Sequence, residues 1–205
     1  MALKTIKRLA AAQSVLFVCD IQELFRPLIY RSATVIDRTV LLTKTSRALD
    51  MPVVVTRQYP KVFGETCREI QNELDKFEDK DLITDVAKTQ FSMLTPDVLT
   101  RMDNSRKSVI LCGIEAHVCV LQTALDLLEN GKDVFVVCDS TSSQKCHDRA
   151  VAMRRLESAG AILTTSESVL FDLVRDSKHA KFKELSAMLK DHNRVENEFA
   201  QSSEV

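Results

Sequence analysis

Four short apolar runs constrain this chain more than any other feature. They are Val15-Leu-Phe-Val-Cys19 before Asp20, Val53-Val-Val55 before Thr56, Val109-Ile-Leu-Cys112 before Gly113, and Val134-Phe-Val-Val-Cys138 before Asp139. None alternates with polar residues, so each is apolar on both faces, as in a parallel strand covered by helices on both sides. Between them lie stretches of helical period. Residues 32–50 carry Val35, Ile36, Val40, Leu42 and Leu49 on one side, and Val118, Leu121, Leu125 and Leu128 recur after the third run. Residues 67–78, 146–159 and 166–175 also read as helices, Gly160–Thr164 as a last strand, and Pro96 as the start of a short helix. Strands alternating with helices predict an α/β fold: a doubly wound, mainly parallel sheet with helices on both faces. Asp85 to Phe91 read as irregular, and 180–190 as one more helix. This gives a basic N-terminal segment, 1–13, one domain, 14–190, and a polar tail, 191–205, expected to be disordered.

Composition removes several function classes. With 28 basic and 29 acidic side chains the net charge is −1, so neither nucleic acid nor anionic lipid is an expected partner. No apolar run approaches the ~20 residues of a membrane span. Six cysteines occur, three of them inside the apolar runs, and no secretory leader is evident, so reduced intracellular thiols are expected. Lys4, Lys7 and Arg8 precede any acidic residue, a pattern compatible with mitochondrial import; otherwise a cytoplasmic protein is expected.

In doubly wound sheets the site lies outside the carboxyl ends of the strands. Asp20, Thr56, Gly113 and Asp139 all fall there, and so does Cys119, in the first turn of the helix that follows Gly113. Unpaired N–H groups and the positive end of a helix dipole favour a thiolate at such a place and can hold a developing oxyanion. Asp20 offers a proton acceptor and Lys88 a cation. Each also has a plainer reading: Cys119 as a small buried apolar residue, Asp20 as a turn cap, Lys88 as a solvated surface lysine. The other five cysteines read as buried apolar residues. No metal is expected: His117 and Cys119 are two apart, which on a helix do not face each other. A dinucleotide is excluded because Asp20-Ile-Gln-Glu follows the first strand instead of a glycine fingerprint. Cys-x5-Arg phosphatase chemistry fails because Leu125 stands six residues after Cys119.

Three elements together carry a resemblance: Asp20-Ile21-Gln22, the segment from Lys88 to Phe91, and Gly113-Ile-Glu-Ala-His-Val-Cys-Val120. In order and spacing they are similar to the isochorismatase-like cysteine hydrolases, over roughly residues 14 to 175. Gln58-Tyr59-Pro60 and Gly113-Ile114-Glu115-Ala116 resemble the branch of isochorismatase domain-containing protein 2. The resemblance implies a nucleophile at Cys119, a general base at Asp20 and a third catalytic residue at Lys88. It also implies a cis peptide at Ile114–Glu115 that turns the Glu115 N–H towards an oxyanion. Gln22, Phe25, Tyr59 and Phe91 are the candidate substrate contacts, with Gln22 read equally as a buried amide that satisfies loop backbone and the aromatics equally as core or subunit interface. A homo-oligomer is implied, with the helix at 180–190, carrying Phe182, Leu185 and Leu189 on one side, as part of its interface.

Two departures narrow the chemistry. Nicotinamidases of this superfamily bind a metal through Asp and His after the second strand, where this chain reads Thr56-Arg57-Gln58-Tyr59-Pro60-Lys61. Isochorismatases proper cleave a vinyl ether and generally lack the cysteine that stands here at 119. The expectation is a cofactor-independent hydrolase of a small amide or carbamoyl compound through a thioester. The alternative is a catalytically weak or silent member that binds or regulates.

Overall fold

The structure, a computed structural model, describes residues 6–103 and 105–199. Six parallel strands form one sheet: β1 (Ser14–Cys19), β2 (Val53–Gln58), β3 (Ile83–Lys88), β4 (Ser108–Gly113), β5 (Asp133–Thr141) and β6 (Ile162–Thr164). Their order is β3-β2-β1-β4-β5-β6, so the sheet winds outward in two directions from β1 and β4. The expected doubly wound architecture is present. The reversal between β1 and β4 opens the crevice where such sheets bind ligands.

Among the described residues there are eight α-helices, α1 (Ser32–Ala48), α2 (Pro60–Phe63), α3 (Arg68–Leu74), α4 (Pro96–Arg101), α5 (Leu121–Glu129), α6 (Cys146–Ala159), α7 (Ser166–Val174) and α8 (Phe182–His192), the last packed on α1 and α7. The strands are apolar on both sides because each side meets helices. Val15, Phe17, Val109, Leu111 and Val134 pack on one face with Val98, Ala124, Leu127 and Met153. Leu16, Val18, Ile110, Cys112 and Val137 pack on the other with Val35, Ile36, Ile70 and Val169.

Four expectations are corrected. The stretch from Asp85 is not irregular: β3 is an edge strand whose burial alternates, Thr84, Val86 and Lys88 inward and Asp85 and Ala87 outward. An outward Asp85 suits a sheet edge, and with Thr84 and Lys88 facing inward only Val86 is large and apolar there, so no continuous apolar run marks the strand. Residues 191–199 are docked, not disordered. Buried Arg38 donates to the carbonyls of His192 and Val195, each at 3.2 Å, and Phe199 packs edge-on against Tyr30. Ala200–Val205, like residues 1–5, lie outside the described residues. Leu185 and Leu189 of α8 are not a surface stripe, because they fill a third core with Leu41 of α1 and Leu170 and Val174 of α7. Finally, Cys146 is exposed, whereas the other five cysteines are buried.

Candidate active site

The site is assembled at the β1/β4 crevice. Gly113, the last residue of β4, lies directly beside Cys19, the last residue of β1. A Cβ at Gly113 would come within 2.5 Å of the Cys19 Cβ and 2.6 Å of its carbonyl oxygen, so the two strands meet this closely only over a glycine. Beyond Gly113 the backbone makes a single π turn, Ala116–Val120, that runs into α5. Cys119 occupies this turn and is only 6% exposed. The turn is tied on three sides. The Ile114 N–H donates to Cys19 O at 3.1 Å, and the Ala116 N–H to Ser142 O at 2.9 Å. Thr123 Oγ1 donates to Cys119 O at 2.7 Å and accepts from the Met93 N–H at 2.9 Å.

The bond between Ile114 and Glu115 is trans, as are all peptide bonds of the described residues, which overturns the cis expectation. Glu115 instead takes the left-handed conformation, φ 52° and ψ 62°. That conformation reverses the chain for about 1–2 kcal/mol, where a non-proline cis bond costs about 3–4 kcal/mol. The Glu115 side chain faces the loop after β5 and accepts from Gln144 Nε2 at 2.7 Å. His117 Nδ1 lies 3.1 Å from Ser143 Oγ, on the same side.

Asp20 follows β1 in a left-handed conformation, φ 55°, which swings its carboxylate across the strand ends. It is 2% exposed. Thr56 fixes it twice, donating from Oγ1 to Oδ1 at 2.9 Å and accepting the Asp20 N–H at 3.1 Å. Lys88, the last residue of β3, reaches under the sheet end so that Nζ lies 2.6 Å from Asp20 Oδ2. Its side chain has no exposure. Nζ also faces Gln58 Oε1 at 2.8 Å, Phe91 O at 2.9 Å and Gln90 O at 3.2 Å. An ammonium has three N–H groups, and four oxygens compete for them. Lys88 is therefore fully occupied in holding its neighbours. Burial pulls its pKa down, but Cys19, Asp20 and Cys119 around it push it up by more, so the ammonium stays protonated above the ordinary lysine value.

Asp20 pairs with Lys88, and Cys119 lies close enough to act on the Lys88 charge, although the three derive from separate loops. Sequence reading missed a fourth member. Cys19 lies wholly buried beside Cys119, with Sγ 3.6 Å from Asp20 Oδ2. Burial, the Cys119 neighbour and the Asp20 charge push the Cys19 thiol well above its ordinary range, so it stands in the site as a neutral thiol. It also missed Thr123, whose hydroxyl joins the Cys119 turn to the loop after Lys88; a lone Thr in an amphipathic helix gives no such signal.

The candidate substrate contacts separate. Gln22 has no free amide group: Oε1 accepts from the Gln58 N–H at 2.8 Å, and Nε2 donates to Gln58 O at 3.0 Å and Gly64 O at 2.6 Å. It braces a loop, so the substrate-contact reading is corrected. Phe25 stacks on Phe63, centroids 4.7 Å apart, and does not line the groove beside Lys88. Tyr59 does line it. This groove, of about 440 Å³, runs between Tyr59-Pro60-Lys61 on one wall and Thr89, Gln90 and Thr95 on the other. Phe91 is half-exposed and gives its carbonyl to Lys88.

Residues 14–168 match the isochorismatase domain. The chain is 45% identical over 201 residues to the secreted isochorismatase effector Isc1 of Phytophthora sojae, covering 97% of this chain and 94% of that protein. It is 41% identical over 191 residues to isochorismatase domain-containing protein 2 of Xenopus laevis, covering 92% and 89%. A solved structure of the MAR1 ribonuclease from Caenorhabditis elegans superposes with a TM-score of 0.85 at 41% identity, covering 90% of this chain and 93% of that one. The chain belongs to the isochorismatase family.

Proposed function

We propose that this protein is a cysteine hydrolase of a small amide or carbamoyl compound. The observation that carries the reading is the dry Asp20–Lys88 pair, 2.6 Å apart, beside the buried Cys119 at the sheet's reversal point. In this reading the Asp20 carboxylate takes the proton of the Cys119 thiol, and the sulfur attacks the substrate's carbonyl carbon. The carbonyl π electrons move to oxygen, and the oxyanion is held by a backbone N–H of the Cys119 turn other than those of Ala116 and Val118, which donate to Ser142 O and Glu115 O. Collapse breaks the C–N bond, and the leaving nitrogen takes the proton from Asp20. Water then attacks the thioester and gives a proton to Asp20; collapse breaks the C–S bond, releases the acid, and the sulfur takes that proton back from Asp20 to restore the thiol. Lys88 donates nothing to the substrate; it orients and balances the Asp20 charge throughout.

A second reading rests on the 45% identical relative named as an isochorismatase: cleavage of the isochorismate vinyl ether. That reaction protonates a carbon and adds water, and it needs no sulfur nucleophile. One assay separates the two. Turnover of a panel of amides, carbamoyl compounds and isochorismate is measured for wild type and Cys119→Ala. Amide or carbamoyl turnover lost in Cys119→Ala supports the thioester route. Isochorismate turnover that survives Cys119→Ala supports the second reading. No turnover on the panel by either protein favours a silent member that binds or regulates. Self-association is a separate proposal, supported by the exposed apolar side chains Leu24, Leu28 and Val62. Light scattering of the purified chain tests it, and a monomer at all concentrations would end it.

A further inference from the structure

Gln58 takes no part in the chemistry above, yet its amide is held at every atom. Oε1 accepts from Lys88 Nζ at 2.8 Å, and Nε2 donates to Thr89 O at 2.7 Å. These two contacts fix which way the amide points. Exchanging O and N would set an NH2 against an ammonium and a carbonyl oxygen against a carbonyl oxygen. The backbone of Gln58 is held as well, its N–H by Gln22 Oε1 at 2.8 Å and its carbonyl by Gln22 Nε2 at 3.0 Å. Gln22 is 1% exposed and stands two residues after Asp20. The contacts therefore close a ring: Asp20 to Lys88, Lys88 to Gln58, Gln58 to Gln22, and Gln22 back to Asp20 through the chain.

This ring decides how Lys88 is presented. The ammonium is dry, and two of its four oxygens, Gln90 O and Phe91 O, belong to its own loop and would move with it. Asp20 and Gln58 are the two that tie it to other elements. A buried ammonium whose partner is removed loses both its direction and part of what keeps it charged. The titratable groups around it are Asp20 and Cys19 at the end of β1 and Cys119 in the π turn.

We propose that Gln58 is a positioning residue of the Cys119–Asp20–Lys88 site: its amide oxygen fixes the direction and the charge of Lys88 Nζ, and Gln22 fixes Gln58 through both backbone atoms. The inference rests on the cysteine-hydrolase reading. The competing reading is that the two glutamines only brace the loop between β2 and α3.

The test uses the full chain, iodoacetamide as the thiol probe and mass spectrometry to read Cys119, with lysine side-chain carbon signals reporting the Lys88 titration. Gln58→Met keeps the length of the side chain and removes the oxygen. Three oxygens then remain for the three N–H groups, so the ammonium keeps its bonds but turns from β2 towards its own loop; Cys119 alkylation at neutral pH should slow by about threefold, and the Lys88 titration should move down. Gln58→Glu places a carboxylate beside the ammonium. It should move the Lys88 titration up while also slowing alkylation, because the added charge offsets the ammonium's field at Cys119. A brace for the loop alone would lower the melting temperature in both variants and move neither readout. Wild-type alkylation rates and an unmoved Lys88 titration in folded variants would overturn the inference while leaving the hydrolase reading intact. If wild-type Cys119 shows no preference for the probe, the hydrolase reading fails instead, and the Lys88 titration still decides whether Gln58 governs that ammonium. If one variant does not fold, the other carries both readouts; failure of both to fold would overturn the inference in favour of the brace.

Discussion

Two strands of this sheet carry the same three residues towards their carboxyl ends. Val18-Cys19-Asp20 closes β1, and Val137-Cys138-Asp139 lies near the end of β5. Both aspartates are buried, 2% and 5% exposed, and both cysteines have thiol pKa values raised chiefly by burial. Their partners differ. Asp139 accepts the Ser166 N–H at 2.8 Å and the Ser166 hydroxyl at 2.7 Å, so it closes the start of α7. Asp20 accepts a hydroxyl and an ammonium, with a second thiol within reach of the pair. One carboxylate is spent on neutral donors of a helix end; the other is held against a charge in a dry crevice. Identical local sequence therefore supplies a cap at one strand and the proposed reactive centre at the other, and the crossover order of the sheet decides which.

The difference can be broken or sharpened in order of expected effect. Asp20→Asn should lower turnover of whichever substrate the panel identifies by about a thousandfold, the size of a lost general base, whereas Asp139→Asn should leave it unchanged. Kinetics on the two variants checks this, and equal losses would erase the distinction. Lys88→Met removes one partner of a buried pair and should destabilise the fold by about 3–5 kcal/mol, read from denaturant unfolding. Asp139→Asn should cost only about 1 kcal/mol in the same experiment, since one of its two donors keeps an oxygen and a neutral cap is lost.

The smallest effect is a pH dependence. Burial, the largest cause, pushes the Cys112 thiol up to about 12 from 9.0. A group whose folded pKa is raised holds its proton more tightly when folded. Its contribution is complete below the unfolded value and is lost as pH rises towards the folded one. The Cys112 contribution should hold from neutral pH to just below pH 9 and then fall, by about 1 kcal/mol between pH 9 and 10. Cys112→Ala should flatten that part of the curve; an unchanged slope would assign the loss to other groups. Lys88 follows the same sign, but its value is raised from 10.5, so its pairing persists to higher pH.

Much of this arrangement was legible in the chain. The continuous apolar runs announced a sheet covered on both faces, and acids at their ends placed Asp20 at the crevice. Lys88 was legible only through its resemblance to a family motif, because its strand alternates at a sheet edge and looks irregular in isolation. Gln22 was left open for a different reason. A buried glutamine near a base suits a substrate or a loop equally well, and only the positions of Gln58 and Gly64 show that all three of its contacts are internal. The docked residues 191–199 were hidden because their anchor is buried Arg38, a charged residue within the α1 helical stretch. The turn after Gly113 was placed correctly but given the wrong bond, since a left-handed Glu115 and a cis bond both reverse a chain.

The most direct test sets exposure against activation. Cys146 is exposed, and Cys119 is 6% exposed. A reagent that reads access alone, such as iodoacetamide with inert thiols, labels Cys146 first. Competitive labelling of the folded protein near neutral pH, with each site quantified by mass spectrometry, should instead show Cys119 reacting ahead of Cys146 and of the four other buried thiols. Labelling that follows exposure, with Cys146 first and Cys119 no faster than Cys112, would contradict the activated-cysteine account.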